Sequence, residues 1–328
     1  MPSLSDLQTE ISPLVRANEP MSRHTTYKLG GPAEFFFEAK SSDDVAKALA
    51  IAEKYGLSFY VFGGGSNMVV SDNGIKGLVI KMTNRNFRIE GAEVIAEAGT
   101  PTGLLSLRAT EAGLTGFEWA VGLPGTIGGA VRGNGGMFGG EMKDSIKTVR
   151  VFHHGQEKTL TNEECQFVYR GSLFKKYPSY IVIEATLQLA PTTDLEAGKA
   201  QLRNHLLEKK AKQPIEFACA GCIFTNWHPP TSEDFEKFRI TMKNLGYDKI
   251  PTTPMGNVPA GWIIDKLGLA GTKIGGLEVS TKHANFFTND GTGTTDHLMQ
   301  LIAAIKTRTR NATDGIVQLK EEVEFVGF

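Results

Sequence analysis

Residues Ala120–Gly140 read AVGLPGTIGGAVRGNGGMFGG, and nine of these 21 positions are glycine: Gly122, Gly125, Gly128, Gly129, Gly133, Gly135, Gly136, Gly139 and Gly140. Glycine loses more backbone freedom on ordering than any other residue, so this density inside a folded domain needs a reason. The usual reasons are close approach of backbone to a ligand and turns that present N–H groups to an anion. A second cluster, Gly63–Asn67 (GGGSN), follows the apolar run Phe59–Phe62. Two such loops in one chain point to a large phosphate-bearing ligand; purely structural turns are the alternative.

Two common phosphate motifs are excluded by inspection. The chain contains no G-x-x-x-x-G-K-[ST], the signature of a P-loop. Gly63-x-Gly65 lacks a third glycine at Met68, and Gly122–Gly129 spaces its glycines by three, so neither loop is a dinucleotide fingerprint. The loops belong to some other nucleotide fold.

At 328 residues the chain accommodates two or three domains. Its 35 basic and 36 acidic residues nearly cancel and form no basic run, which argues against a nucleic-acid partner held by charge. No apolar stretch approaches the roughly 20 residues that span a bilayer. The N-terminal MPSLSDLQTEISPL lacks a basic start and an apolar signal core. The expectation is a cytoplasmic protein without a membrane or obligate protein partner. Cys165, Cys219 and Cys222 are too few for a disulfide scaffold.

Along the chain, Ser41–Asp44 reads as a capping box, with Val45, Leu49 and Ala52 on one helical face before Gly56. Phe59–Phe62 and Gly77–Lys81 read as strands. Thr100 and Pro101 suit the N-cap and first position of a helix ending near Gly113. Between Tyr180 and Ala190, Ile181, Ile183, Ala185, Leu187 and Leu189 alternate with Val182, Glu184, Thr186 and Gln188, the pattern of a half-buried strand. Helices are expected at Leu195–Lys212 (capped by Asp194), Ser232–Leu245, Ala260–Leu267 and Thr295–Arg308, with strands near Ile274–Val279 and Ile316–Val326. Mixed elements without a regular βαβ rhythm predict an α+β fold rather than a doubly wound parallel sheet.

Seven stretches then fall in a recognisable order: TTYKLGGPAEF (Thr25–Phe35), VFGGGSNMVVSD (Val61–Asp72), GFEWAVGLPGTIGGAVRGNGG (Gly116–Gly136), YRGSLFK (Tyr169–Lys175), AGCIFTN (Ala220–Asn226), IGGLEVSTKHANFF (Ile274–Phe287) and LKEEVEFVG (Leu319–Gly327). Together they span nearly the whole chain, and it resembles the UDP-N-acetylenolpyruvoylglucosamine reductases, flavoenzymes of bacterial cell-wall precursor synthesis. The resemblance implies a two-lobed FAD module of the vanillyl-alcohol-oxidase/PCMH type, at residues 1–82 and 83–203. A C-terminal α+β substrate domain would follow at 204–328, its last strand carrying Glu322 and packing back on the FAD lobes. It implies non-covalent FAD at Gly63, Gly64, Gly65, Ser66 and Asn67 and at Gly122, Pro124, Gly125, Thr126, Gly128 and Gly129. The short passage from Lys175 to Ala220 matches the shorter of the family's two forms, without an inserted substrate-covering loop.

The implied reaction reduces the enolpyruvyl ether of a UDP-sugar to a lactyl ether. NADPH reduces FAD, the substrate replaces the nicotinamide product, and hydride passes from flavin N5 to the terminal vinyl carbon. Charge spreads into the substrate carboxylate as an enolate, and an acid protonates the neighbouring carbon. This chemistry demands a cation at the carboxylate and a neutral proton donor at the carbon. The motif assigns the first task to Arg170, whose fork meets a carboxylate bidentately. Glu322 matches the family's C-terminal glutamate, useful beside a developing anion in its acid form. Cys222 stands where most family members carry serine. With a reference pKa of about 8.5 a thiol is mostly neutral near pH 7 and still a stronger acid than an alcohol. From the residues alone, Arg170 and Glu322 read as solvated groups at strand ends.

Tyr169 and Asn226 match positions near the family's substrate, and Lys212 would meet the UDP diphosphate, a solvated helix end being the alternative. Cys219 and Cys222 form a CxxC, but a zinc site would need a second ligand pair, and the seven histidines show no metal spacing; no metal is expected. Oxidation could link the pair and remove the proton donor; a small buried role for Cys219 is the plainer reading. One segment, Trp227–Val258, is longer than the short family form needs, and reads as an added cover for the substrate cleft or a surface elaboration. Two other functions stand beside the reductase: another FAD-dependent oxidase or dehydrogenase of the same flavin fold, and a nucleotide-sugar binder without turnover. The first has no reason to carry Arg170, Cys222 and Glu322 in these motifs; intact Arg170 and Glu322 weigh against the second, which Cys222 in place of the usual serine keeps open.

Overall fold

The computed structural model describes residues 2–328, which fall into two compact units. Unit 1 comprises the chain up to Pro20 together with residues 32–65 and 74–211; unit 2 comprises residues 21–31, 66–73 and 212–328. The architecture is α+β.

Unit 1 contains two larger sheets. The first has the order Arg16–Pro20, Pro32–Ala39, Ile75–Met82, Phe59–Phe62, with the first pair antiparallel and the others parallel. Parallel pairing needs a crossover, and the helix Ser42–Lys54 precedes Phe59–Phe62. Ser41 accepts from Asp44 N while Asp44 accepts from the Ser41 backbone, the expected capping box. Val45, Ala48, Leu49 and Ala52 are its buried face. The second sheet is wholly antiparallel, ordered Gln156–Thr161, Ile146–His153, Ile181–Gln188, Glu93–Glu97, Phe87–Glu90. Its apolar face continues into one core from Leu7 to Leu189.

Two local expectations need correction here. The helix after Thr100 runs Thr102–Glu111 with Pro101, not Thr100, at the N-cap; the Thr100 hydroxyl donates instead to Asn86 O at 3.2 Å. The strand Ile181–Gln188 does not alternate throughout, because Val182 and Ile183 are both buried. The register against Ile146–His153 shifts between the pairs Arg150↔Glu184 and Val151↔Val182, leaving Ile183 unpaired. A bulge of this kind puts two successive side chains on the core side.

Unit 2 holds a small antiparallel sheet, Lys273–Ile274, Leu277–Val279, Phe287–Asn289, and the helices Ser232–Asn244, Ala260–Lys266 and Thr295–Ala312. Asp194 accepts from Ala197 N at 2.9 Å at the start of the Leu195–Lys212 helix in unit 1. In unit 2 Asp72 caps from a distance, receiving Thr295 N at 3.1 Å and Asp296 N at 3.2 Å. The expected strand over 316–326 shrinks to Glu324–Val326, which pairs in parallel with Met68–Val70. Residues before it make only an isolated bridge, Phe224↔Glu321, too little pairing for a strand.

The long segment 227–258 is part of unit 2's core. Trp227 and Val258 exchange backbone hydrogen bonds of 2.9 and 2.8 Å, closing its neck. Phe238 and Met242 on the Ser232–Asn244 helix are fully buried, and the Phe238 ring lies 4.9 Å from that of Trp227.

Candidate active site

In unit 1 the two glycine loops meet. A side chain on Gly63 would run into the Thr126 hydroxyl at 2.1 Å, and one on Gly64 into the Gly125 Cα at 2.8 Å. Their glycines are thus required by loop-on-loop packing. The second loop is itself seated on the start of the Thr102–Glu111 helix. Ile127 N donates to Thr100 O and Gly128 N to Ala98 O, both at 2.9 Å, and Thr102 N donates to Gly125 O at 3.3 Å. The tail of the glycine run serves a turn: Gly136–Met137 pairs with Gly140–Glu141 around Phe138 (φ 51°) and Gly139 (φ 89°). Two positive φ values at the centre of a two-residue hairpin make a type I′ turn.

The loop pair also holds the polar features that a cofactor would complete. Thr126 Oγ1 is buried and has no hydrogen-bond partner among the described residues, as have both polar atoms of the buried Asn84 side chain. Buried polar atoms are nearly always bonded, so a polar ligand at this loop would answer Thr126. Gly129 is exposed, and the nearest atom to a Cβ built there is Thr126 Oγ1 at 3.8 Å. The residues present therefore fit a phosphate-bearing cofactor laid against this surface.

Arg170 belongs to the same loop cluster. Val168 and Gly171 exchange backbone hydrogen bonds of 3.0 and 3.1 Å, which makes Tyr169–Arg170 the tip of a minimal hairpin. Arg170 sits there at φ 54°, a conformation uncommon for a side chain of its size. Its Nη2 donates to Gly136 O at 3.2 Å, and its guanidinium lies 5.3 Å from the centre of the Tyr169 ring. Buried Asn134 binds Val168 O at 3.0 Å, and the Ser172 hydroxyl binds Arg132 O at 2.6 Å. The stretches 132–136 and 168–172 are thereby fastened to each other, and with them Arg170 to the second glycine run.

Unit 2 brings together Cys222, Glu322 and Asn67. Glu322 N donates to Ile223 O at 2.8 Å, Thr225 N to Lys320 O at 2.9 Å, and Glu324 N to Asn67 O at 3.0 Å. The Asn67 side-chain amide donates to Glu322 O at 3.3 Å. Cys222 is half-buried and bridges Phe286. Asn226 Oδ1 accepts from Ala260 N at 3.3 Å, at the start of the Ala260–Lys266 helix. Lys212, the last residue of its helix, is exposed. Arg170 and Tyr169 thus belong to unit 1, and Ser66, Asn67, Lys212, Cys222, Asn226 and Glu322 to unit 2. Cys165 stands apart, fully buried in unit 1, its thiol pushed up to about 12 by burial.

Three buried polar residues around these stretches escaped sequence reasoning. Asn134 fastens the Arg170 hairpin, and Asn285 binds the backbone next to Cys222 with both side-chain atoms. Tyr27 is fully buried, and its hydroxyl, which has no partner among the described residues, is held far above the ordinary range by burial and by the nearby Cys219. Each lies inside a quoted motif, so the motif was the signal; single residues of these types carry none.

Known proteins resemble this chain along nearly its whole length. A family model described as "FAD binding domain" matches residues 33–161, and one described as "UDP-N-acetylenolpyruvoylglucosamine reductase, C-terminal domain" matches residues 213–326. Proteins named UDP-N-acetylenolpyruvoylglucosamine reductase are similar over almost their full length. That of Solibacter usitatus is 33% identical over 95% of this chain and 97% of its own, and that of Bacillus subtilis 34% identical over 95% and 94%. The crystal structure of the reductase of that name from Thermus caldophilus matches with a TM-score of 0.75 at 28% identity, covering 95% of this chain and 100% of the other.

Proposed function

Since this chain belongs to the family of UDP-N-acetylenolpyruvoylglucosamine reductases, we propose how its own residues divide that family's reaction among them. The enzyme is an FAD-dependent oxidoreductase with NADPH as reductant, acting on the enolpyruvyl ether of UDP-N-acetylglucosamine. When bound, FAD recharged by NADPH supplies the hydride for the vinyl carbon. Residues 1–82 and 83–203 would form the two lobes that hold it and 204–328 the substrate domain, with Gly63, Gly64, Gly65, Ser66 and Asn67 of the first loop among the residues that would hold it. The second loop would add Gly122, Pro124, Gly125, Thr126, Gly128 and Gly129, where Thr126 Oγ1 has a hydrogen bond to give.

Arg170 binds the substrate carboxylate and stabilises the enolate, its fixed charge matched to the charge that develops there. Its strained backbone supports this role, since such conformations cluster where function demands them. Cys222 holds the proton that goes to the neighbouring carbon, and Glu322 steadies the enolate. The observation that carries this division is the bond from Glu322 N to Ile223 O, which ties the carboxyl-bearing stretch to the thiol-bearing one. Tyr169, Lys212 and Asn226 contact the substrate, Asn226 from its place at a helix start. The setting is cytoplasmic peptidoglycan precursor synthesis, and so cell shape and division, with no nucleic acid, membrane or obligate protein partner. Among the described residues no helix is long and apolar enough to cross a membrane.

An anaerobic experiment tests the reading. The purified holoenzyme is bleached with NADPH, then given UDP-N-acetylglucosamine enolpyruvate while flavin absorbance is followed. Rapid return of the oxidised bands in the wild type, slow return in Cys222→Ala and partial return in Cys222→Ser are expected. Wild-type return in Cys222→Ala would remove the thiol from its role.

A further inference from the structure

We infer that Asn285 is the positioning residue of Cys222, holding in register the backbone that carries the thiol. The inference rests on the assignment of Cys222 as proton donor made above.

The segment that carries Cys222 is not part of a regular strand. It runs antiparallel to residues 286–289 with Ala218 opposite Asn289 and Cys222 opposite Phe286. Four steps along one side therefore face three along the other, and the surplus is absorbed where Gly221 takes φ 79° with open space around it. A surplus residue of this kind bends the chain and re-aims the next side chain, which is Cys222. The bulge leaves the direction of the thiol dependent on what fixes the chain just beyond it.

Beyond Cys222 the partner chain turns away. Phe286 N bonds to His283 O at 2.8 Å, and Asn285 N to His283 Nδ1 at 3.3 Å. Ordinary pairing goes one residue further, with Ile223 N donating to Asn285 O at 2.8 Å. At Phe224 the side chain of Asn285 takes over. Phe224 N donates to Asn285 Oδ1 at 2.9 Å, and Asn285 Nδ2 donates to Phe224 O at 2.8 Å. A carboxamide offers the same donor and acceptor as a peptide unit, so this one side chain extends the ladder where no backbone is left to do it. Asn285 is only 2% exposed, so water cannot replace it. From the other edge the segment is held by Glu322 N and Lys320 O. Asn285 thus completes the clamp on the stretch that joins the thiol to Glu322.

The consequence is kinetic. A donor displaced by about an ångström can lose on the order of 100-fold in rate, while steps that do not use it are unchanged. Asn285→Leu keeps the number and branching of the side-chain heavy atoms and removes both side-chain bonds. Asn285→Asp keeps the acceptor for Phe224 N–H and removes the donor to Phe224 O.

The test separates the two half-reactions in the FAD-loaded enzyme by stopped flow. In Asn285→Leu, flavin bleaching by NADPH stays within about twofold of wild type, while reoxidation by the enolpyruvyl substrate slows on the order of 100-fold with little change in KM. Asn285→Asp shows the same selective loss, smaller in size. In a Cys222→Ala background, Asn285→Leu adds no further loss, because the group it positions is gone. Equal slowing of both half-reactions, or losses that multiply in the double variant, would overturn the inference and leave the thiol assignment intact. A Cys222→Ala enzyme that reoxidises at the wild-type rate overturns the thiol assignment itself, and is read from that single variant. If Asn285→Leu does not fold, Asn285→Asp decides alone, and wild-type reoxidation in it rejects the clamp.

Discussion

Arg170 is held at φ 54° at the tip of a four-residue hairpin, where glycine would sit more easily. Backbone in this region costs a non-glycine residue on the order of 1 kcal/mol, so the arginine is there in spite of its backbone. Arg170→Gly should therefore leave stability within about 1 kcal/mol of wild type, the relief offsetting the lost bond to Gly136 O. The same variant should reoxidise its flavin with substrate several orders of magnitude more slowly. Urea unfolding and the stopped-flow half-reaction check the pair, and a large destabilisation would mean the side chain serves the fold. Gly129 offers the converse case. It is an exposed helical glycine with nothing nearer than 3.8 Å to its missing Cβ. Gly129→Ala should raise the stability of the FAD-free protein, by up to about 1 kcal/mol of helix propensity, and weaken FAD binding if the cofactor lies on that face. Undiminished FAD affinity in a titration of the FAD-free variant would move the cofactor off Gly129.

At the scale of elements, the turn 283–286 links a half-buried titratable group to the clamp on Cys222. Burial lowers the pKa of His283 below its ordinary 6.5, and its Nδ1 accepts from Asn285 N, a role only the unprotonated nitrogen can play. The unfolded chain then binds more protons than the folded one below about pH 6.5, so stability falls as pH falls through that value. The carboxylates with lowered pKa, such as Glu10 and Asp290, add the same sign of effect only below their own ordinary values of 4.5 and 3.8. Between pH 6.5 and 5 the urea midpoint should decline in wild type and flatten in His283→Gln; parallel curves would acquit His283. Elements with local signals were legible in the sequence: the Ser41 box and the Asp194 cap use contacts within three residues. Pro101 displaced the next helix by one residue because Thr100 found a distant partner in Asn86. The stretch before Glu324 is no strand because Val317, Leu319 and Val323 are buried in the same core as Phe224 while only an isolated bridge, not a ladder, pairs it. Of the site, the loops were legible from glycine content, whereas Arg170, Cys222 and Glu322 came only from motif resemblance. Asn285 was invisible because its role depends on a chain segment sixty residues earlier.

For the whole molecule, the order of the chain and the order of its units disagree. The backbone passes from one unit to the other at residues 20–21, 31–32, 65–66, 73–74 and 211–212, with one passage inside GGGSN. Unit 2 therefore owes part of its core to two short N-terminal pieces: Tyr27 and Leu29 from 21–31, and Val69 from 66–73. All three are at most 3% exposed. Burying each contributes about 1.5–3 kcal/mol, and the total is comparable to the roughly 5–15 kcal/mol net stability of a domain. The second piece also supplies Met68–Val70, the strand partner of Glu324–Val326. A polypeptide of residues 204–328 should for these reasons fail to unfold cooperatively in urea and should lack slow-exchanging amides in 324–326. Supplying residues 21–31 and 66–73 through flexible linkers should restore both properties, since their bonds to Asn289, Val326 and Glu324 are local to unit 2. A cooperative transition in the bare 204–328 polypeptide would show that these pieces decorate the core rather than complete it. The proposed catalytic division would then need only that polypeptide to set Cys222 against Glu322. If instead the two pieces are required, the first glycine loop is bound to the fate of the proton donor: Asn67, whose carbonyl receives Glu324 N and whose amide reaches Glu322 O, belongs to the unit that carries Cys222.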